Sequence, residues 1–513
     1  MNKLFQFANR VISSVEASKH PYYYYVFVFV FSVLARNFLE VLAYGEVKLS
    51  DWYAHLHYST YYIALVIFLL LALAFVTGEK VAVTGKVILT FIPIIIICPI
   101  IDLVLSYGFD LKQTLGYLSP ELHGNFFSKY FLYFGNSIGV NLSAPGIFKL
   151  NMGPSIGYRA EVFFVLVGFG IYIGVKTKSL VKSLIGVLLI YTLIYFFCST
   201  PFVLKNFLKL SPYAPQLVPY YLLLSFIGLI PMFIKAFPKE SKMIFNDFRW
   251  LRLAFYELIF LFGVVYGLKE GGVIRPSTLY QGVFVLISIF FLWKHAVMVN
   301  NIEDITIDKV SNSKRPLITK AIDLKLYQQL AWWMLGLGLV YALYADIIIW
   351  YFLAIFSFNY FIYSAGPIRL KRVPIISKLP IALNILLLFI LGNVYTGVGF
   401  SNIPVEVVLF IVLGGTLALN IIDIKDFQGD KKAGIKTLPV LIGLKPAKLL
   451  LGILFLGGHL LGFIFTIKNE TYFILVVLGV LQLISITSKN YSDKRVVGLF
   501  LVSILCVIVE RFI

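Results

Sequence analysis

The sequence predicts an all-α polytopic membrane protein, and three observations carry that reading. Apolar residues fill 60% of the 513 positions and aromatic residues 17%, whereas charged residues fill only 13%. Mean hydropathy is +0.89, far outside the range of soluble domains. Apolar runs of about 20 residues, the length that crosses a hydrocarbon core of about 30 Å, recur along the entire chain.

The first run, Tyr22 to Tyr44, follows a short basic segment but is long, carries Arg36 and Glu40 and shows no small-residue cleavage site. It reads as a membrane helix and not as a signal peptide. Runs near 60–77, 87–106, 160–175, 181–203 and 217–237 complete a first set of about six crossings. The segment KAFPKESKMIFNDFRWLR then interrupts with charge and a proline, which places a boundary between a module over 1–243 and a second over 244–513. Runs near 250–268, 278–300, 327–343, 345–363, 379–400, 403–422, 447–467, 471–487 and 495–512 give about nine more crossings, roughly fifteen in all.

Lysines and arginines concentrate on every second loop, at Lys3 to Lys19, Lys80 and Lys86, Lys176 to Lys182, and Lys235 to Arg252. In the second set the basic loops hold Lys309 to Lys325, Arg369 to Lys378, Lys425 to Lys436, and Lys489 to Arg495. Cationic loops stay in the cytoplasm, so the N-terminus and these loops are expected there. The same rule accounts for the net charge of +19 without nucleic acid, because no sizeable soluble region gathers the cations. Cys98, Cys198 and Cys506 sit in apolar runs without CxxC spacing, which argues against a disulfide framework or a zinc site.

Acids are scarce, yet NNIEDITIDKVSNSKRPL places Asn300, Asp304 and Asp308 at i, i+4 and i+8 where an apolar run ends. On a helix these form one stripe drifting by roughly 40° per step. A second stripe follows in NIIDIKDFQGDKKAGIKTLPV, with Asp423, Asp426 and Asp430 at i, i+3 and i+7 and Asn420 one turn earlier. One such stripe is more often a solvated helix end. Two stripes on one side of the membrane repel and resist desolvation unless a cation joins them. Oxygen-only ligands suit Mg2+, which prefers one or two carboxylates together with water and phosphate oxygens. Lys314 and Arg315, Lys371 and Arg372, and Lys431 stand nearby as phosphate contacts.

From about Phe248 to the end, the chain resembles the UbiA superfamily of intramembrane prenyltransferases. An NxxxDxxxD motif followed by RP is matched by Asn300, Asp304, Asp308, Arg315 and Pro316, and a DxxDxxxD motif with G and TLP by Asp423, Asp426, Asp430, Gly434, Thr437, Leu438 and Pro439. A YxxPxRLKR-type loop between them is matched by Tyr363, Pro367, Arg369, Leu370, Lys371 and Arg372. The chain departs from the pattern at Asn301, where many members carry Asp, and in lacking a glycine soon after RP. The resemblance implies a nine-helix UbiA-type bundle preceded by an extra module of about six helices. It implies Mg2+-dependent transfer from a polyprenyl diphosphate to an aromatic or lipid-precursor acceptor. The metal would be held by Asp304, Asp308, Asp423, Asp426 and Asp430, and the diphosphate by Asn300, Lys314, Arg315, Tyr363, Lys371, Arg372, Asn420 and Lys431.

The first module carries polar residues at membrane depth: Arg36, Asn37 and Glu40, then Asp102, then Arg159 with Glu161. Ionisable groups there are functional candidates, although Arg36 and Glu40 at i, i+4 also read as a mutually satisfied pair. His55 and His57 are expected in an external loop, as an interfacial belt before a metal or head-group site. The long external segment 107–158 is the natural place for a lid. Two alternative functions stand beside the enzyme: a lipid-binding or transport protein with an inactive prenyltransferase half, and a fusion with a second lipid-modifying activity.

Overall fold

The computed structural model describes residues 2–44, 52–108, 155–206, 214–275, 278–305, 308–309, 315–366, 369–373, 376–432, 436–464, 466 and 468–510. Helices and the turns joining them account for all of these, and no strand occurs among the described residues. The chain divides into two compact units, Met1–Ser241 and Lys242–Ile513.

In the first unit the helices are α1 (Asn2–Ala17), α2 (Tyr22–Tyr44), α3 (Trp52–Thr77), α4 (Val81–Phe91), α5 (Ile97–Gly108), α6 (Ile156–Thr177), α7 (Leu180–Cys198), α8 (Thr200–Asn206) and α9 (Ala214–Ala236). A 3-10 turn over Ile92–Ile96 containing Pro93 joins α4 to α5, so the two make one span. Serines start two of the helices: the Ser155 hydroxyl accepts from the Tyr158 N–H and the Ser179 hydroxyl from the Lys182 N–H, satisfying amides that have no partner inside the helix. α3 is the central helix, with 61% of its span buried against 28% for α2. Its Tyr61, Leu65, Leu69 and Leu73 pack in one core with Ile190, Tyr191 and Ile194 of α7 and Tyr221 of α9.

The polar residues of α2 turn inward. Arg36 is buried, ion-paired with Glu40 one turn on, 4.0 Å from Glu161 of α6 and flanked by the rings of Tyr58 and Tyr62 at 5.3 Å each. The Tyr58 hydroxyl donates to Glu40 at 2.9 Å. Asp102 of α5 caps α6, accepting from the Ser155 hydroxyl at 2.6 Å and the Gly157 N–H at 2.8 Å. These contacts interlock α2, α3, α5 and α6. Arg36→Leu leaves two carboxylates buried without their cation, a change that costs about 3–5 kcal/mol. A fall in the melting temperature of the detergent-purified chain is the expected result, and an unchanged one would show that the cluster does not hold the unit together.

One expectation changes here. His57 lies inside α3 and is buried, not in an external loop. Its ring sits 4.6 Å from Tyr58 and 5.9 Å from Tyr221, so aromatic packing carries the helix below the apolar run that begins near 60. The His55 side chain and nearly all of segment 107–158 lie outside the described residues. Arg159 is half-buried in the first turn of α6. α1 corresponds to no expected element; Ile12 joins the core, and Glu16 pairs with Lys176 of α6 at 3.0 Å.

α10 (Pro238–Asn246) spans the boundary between the units. The second unit then runs through α11 (Trp250–Lys269), α12 (Leu279–Glu303), α13 (Leu324–Ala345), α14 (Ile347–Ser364), α15 (Leu379–Tyr395), a composite rod α16 over 405–432, the short α17 (Leu438–Ile442), α18 (Leu444–Leu460), α19 (Asn469–Thr487) and α20 (Asp493–Glu510). Among the described residues these include nine long rods, the number expected from the sequence. Among the described residues eleven helices are long and apolar enough to cross a membrane, six of them in the first unit and five in the second. The difference from roughly fifteen crossings has local causes. Gln328, Gln329 and the Trp332–Trp333 pair lower the hydropathy of α13, α15 and α18 have 17 residues each, and α20 opens with Asp493, Lys494 and Arg495. α11 and α15 approach backbone to backbone: a Cβ at Gly263 would fall 2.1 Å from the Phe389 carbonyl oxygen and one at Gly392 2.2 Å from that of Phe260. Only glycine permits this approach.

α16 is not a regular helix. A π turn over Phe410–Gly414 is followed by an α turn over Gly415–Ala418 and a 3-10 turn over Leu419–Ile422 before α-helix resumes at Asp423.

Candidate active site

The first aspartate motif begins on α12 and leaves it. The helix ends at Glu303, Asp304 is its C-cap, and the Asp304 N–H still bonds the Asn300 carbonyl. The Asp308 N–H then bonds the Asp304 carbonyl at 2.8 Å. The Asp304 carboxylate accepts from Arg369 Nη2 at 2.6 Å and from Lys371 Nζ at 2.6 and 2.7 Å, while Lys371 also reaches Asn300 Oδ1 at 3.3 Å. Both cations come from the α14–α15 connection, where Arg369 holds a left-handed φ of 42° ahead of a 3-10 turn over Leu370–Arg372. Such a conformation in a residue with a Cβ persists only where surrounding contacts impose it. Asp308 is buried and accepts from Arg315 Nη1 at 2.6 Å.

The second motif follows the irregular part of α16. Asp423 accepts from Lys378 Nζ at 2.7 Å, and both side chains are buried. Burial opposes the Lys378 charge, but Tyr363 and Asp423 outweigh it and hold its pKa above the usual lysine value. Asn420 donates to the Thr416 and Leu417 carbonyls of its own helix at 3.0 and 2.9 Å. Lys431 is exposed, its ammonium 6.0 Å from the Phe427 ring. The side chains of Asp426, Asp430 and Arg372, and all of Lys314, lie outside the described residues.

One cavity of about 2730 Å³ joins these groups. Asn300, Asp304, Arg315, Tyr363, Lys371, Lys378 and Asp423 line its polar end; Tyr256, Trp293, Phe389, Phe455 and Phe500 line its apolar reach, which extends to Leu460 at the far end of α18. Asp308, Asn420 and Lys431 do not line it. Among the described residues eight lysines and arginines face it against four aspartates.

The motif reading did not assign Lys378, Asp247, Arg249 or Arg252 to the site. The last three lie in NDFRWLR, where a cluster of charge looks the same as in any connector between membrane modules. Arg249 is pulled down to about 10 by burial and by the charges of Arg252 and Arg315.

The donor set suits a hard divalent ion. Every candidate ligand is a carboxylate or amide oxygen, and among the described residues no three His, Cys, Asp or Glu side chains converge. Mg2+ takes one or two such oxygens and completes its shell with phosphate and water.

A helical membrane bundle whose charged mouth opens on a long aromatic-lined cavity defines a class: an enzyme that handles a substrate with an anionic head and an apolar tail. Residues 258–504 match the UbiA prenyltransferase family, so the second unit carries a UbiA-family domain, and the chain is a prenyltransferase. It is similar to the digeranylgeranylglyceryl phosphate synthase of Methanococcus vannielii, 25% identical over 261 residues that cover 47% of this chain and 90% of the relative. The enzyme of that name from Methanococcus aeolicus is 28% identical over 206 residues, covering 38% of this chain and 71% of the relative. Among solved structures, a UbiA homolog from Archaeoglobus fulgidus bound to GPP and Mg2+ superposes with a TM-score of 0.40 at 22% identity, covering 52% of this chain and 98% of that one.

Proposed function

We propose that the second unit transfers a polyprenyl group from a polyprenyl diphosphate to a phosphate-bearing lipid precursor, with Mg2+, at the cytoplasmic side of the membrane. The observation that carries this reading is the cavity, which sets lysine-paired aspartates at its mouth above an apolar, aromatic interior. Asp304 and Asp423, with Asp426 and Asp430, would hold the metal, while Asp308, which does not line the cavity, holds Arg315 at 2.6 Å. Bound there, Mg2+ supplies Lewis-acid polarisation and counter-charge for the leaving diphosphate.

The chain's own groups do the rest. Arg315, Lys371 and Lys378 face the phosphate oxygens and stabilise the charge that builds on them as the allylic C–O bond breaks. Tyr256, Trp293 and Tyr360 pack ring against ring beside the mouth and line the cavity. Their faces suit a developing carbocation, and their bulk keeps water from it.

Two observations favour a phosphate acceptor over a neutral aromatic one. Among the described residues eight lysines and arginines face the cavity against four aspartates, which suits a second anionic group, and the relatives above are named for a glyceryl phosphate product. The test is full-length protein with labelled prenyl diphosphates and either a glycerol phosphate ether lipid or 4-hydroxybenzoate as acceptor. Transfer to the phosphate lipid is expected, lost with EDTA and restored by Mg2+. Label on 4-hydroxybenzoate alone would replace the acceptor, and no transfer to either would overturn the reading.

A further inference from the structure

Asn301 lies behind the cavity wall, 2% exposed, and its amide is fully engaged. Nδ2 donates to Asp247 Oδ2 at 2.5 Å and to the Tyr327 hydroxyl at 2.9 Å. Oδ1 accepts from Arg315 Nη1 at 2.7 Å and Arg249 Nη2 at 3.3 Å. Both arginines line the cavity and Asn301 does not. The segment bearing Asp247 and Arg249 is strapped to α12: Lys294 Nζ donates to the Ile244 and Asp247 carbonyls at 3.1 and 3.4 Å, and Trp293 Nε1 to the Phe248 carbonyl at 3.2 Å. Within it Arg249 takes a left-handed φ of 57°, a conformation maintained by such contacts.

Two like charges therefore converge on one neutral oxygen. Arg315 has a carboxylate partner in Asp308 at 2.6 Å. Arg249 has its pKa drawn down to about 10, first by burial and then by Arg252 and Arg315, with Asp247 pulling the other way. The carboxylate able to cancel its charge, Asp247, is set on the far side of the amide. A neutral acceptor fixes the guanidinium groups in direction and leaves their charge for an anion in the cavity.

We propose that Asn301 is a positioning residue: through its neutral carbonyl oxygen it aims Arg249 and Arg315 at the phosphate groups of the substrate, with Asp247 and Tyr327 orienting the amide. This rests on the prenyltransferase reading. An acid at 301 would stand beside Asp247 and neutralise the arginines it now only steers.

The experiment compares full-length wild type, Asn301→Asp, and the double variant Asn301→Asp with Asp247→Asn, which keeps net charge while moving the carboxylate onto the arginines. Steady-state kcat and KM for the prenyl diphosphate are measured, with the rise in melting temperature produced by inorganic pyrophosphate and Mg2+. Both variants are expected to raise KM about tenfold with kcat changed by less than about threefold, and to blunt the pyrophosphate shift. Wild-type KM and a wild-type pyrophosphate shift in the double variant would overturn the proposal, since any hydrogen-bonding tether would then suffice. The double variant also removes the acid–acid contact that could unfold the single one, but it parts Asp247 from Lys294, 3.7 Å away, so the ligand-free melting temperature of each variant is the baseline from which its shift is read. A wild-type chain that moves no label defeats the prenyltransferase reading instead, and the pyrophosphate shift, read without turnover, still decides this one.

Discussion

Asp304→Asn is expected to lower prenyl transfer by about 10²–10³-fold with little change in melting temperature. The amide has the shape of the carboxylate but not its charge. Asp304 faces the cavity and gathers two cations from a loop more than sixty positions away, Arg369 and Lys371, each bonded at 2.6 Å. Asparagine still accepts from them, so the loop keeps its place, but it cannot hold a divalent ion or counter the cations once the diphosphate has left. Because Asp304 and Lys371 act as one unit, adding Lys371→Ala should cost much less than the product of the two separate losses. Steady-state kinetics at saturating Mg2+ check both statements. Turnover within about threefold of wild type would remove Asp304 from the chemistry.

Lys378→Met should act on folding and turnover together. The lysine and Asp423 are 7% and 8% exposed and bonded at 2.7 Å, so losing the cation strands a buried carboxylate at a cost of about 3–5 kcal/mol. The double variant Lys378→Met with Asp423→Asn removes both charges and should regain most of the melting temperature without regaining turnover. That split separates the pair's two roles. A Lys378→Met protein that melts with the wild type would show that Asp423 needs no partner, and an active double variant would show that its charge is not used.

The fold was legible because its signal is coarse. A crossing needs an apolar run and a break, and sequence shows both, so each of the fifteen expected runs meets a helix; the largest mismatches are α3, which starts eight positions early at Trp52, and α16, which runs ten positions past the expected end at 422. α1 escaped because its sixteen residues mix polar and apolar positions, and a search for membrane runs passes over an amphipathic helix. The site was legible as far as its motifs reach. Spacing brings Asp304 and Lys371 to attention although 67 positions separate them. It carries no information on where a side chain turns once the helix deforms: Asn420 bonds back to its own helix, and Lys431 points away from the cavity. Lys378 and Arg249 belong to no repeat, and only the fold brings them to the aspartates.

The irregular turns of α16 have a consequence for how this site is aimed. An α-helix couples depth to direction, since each residue adds 1.5 Å and 100° together. A wide turn at Phe410–Gly414 and a tight one at Leu419–Ile422 break that coupling, because each advances the chain by a different rise per degree of rotation. The azimuth of Asp423 is thereby uncoupled from the length of the span that carries it. Bilayer thickness governs how many residues cross, while the two off-pitch turns govern which way the carboxylate looks when they emerge.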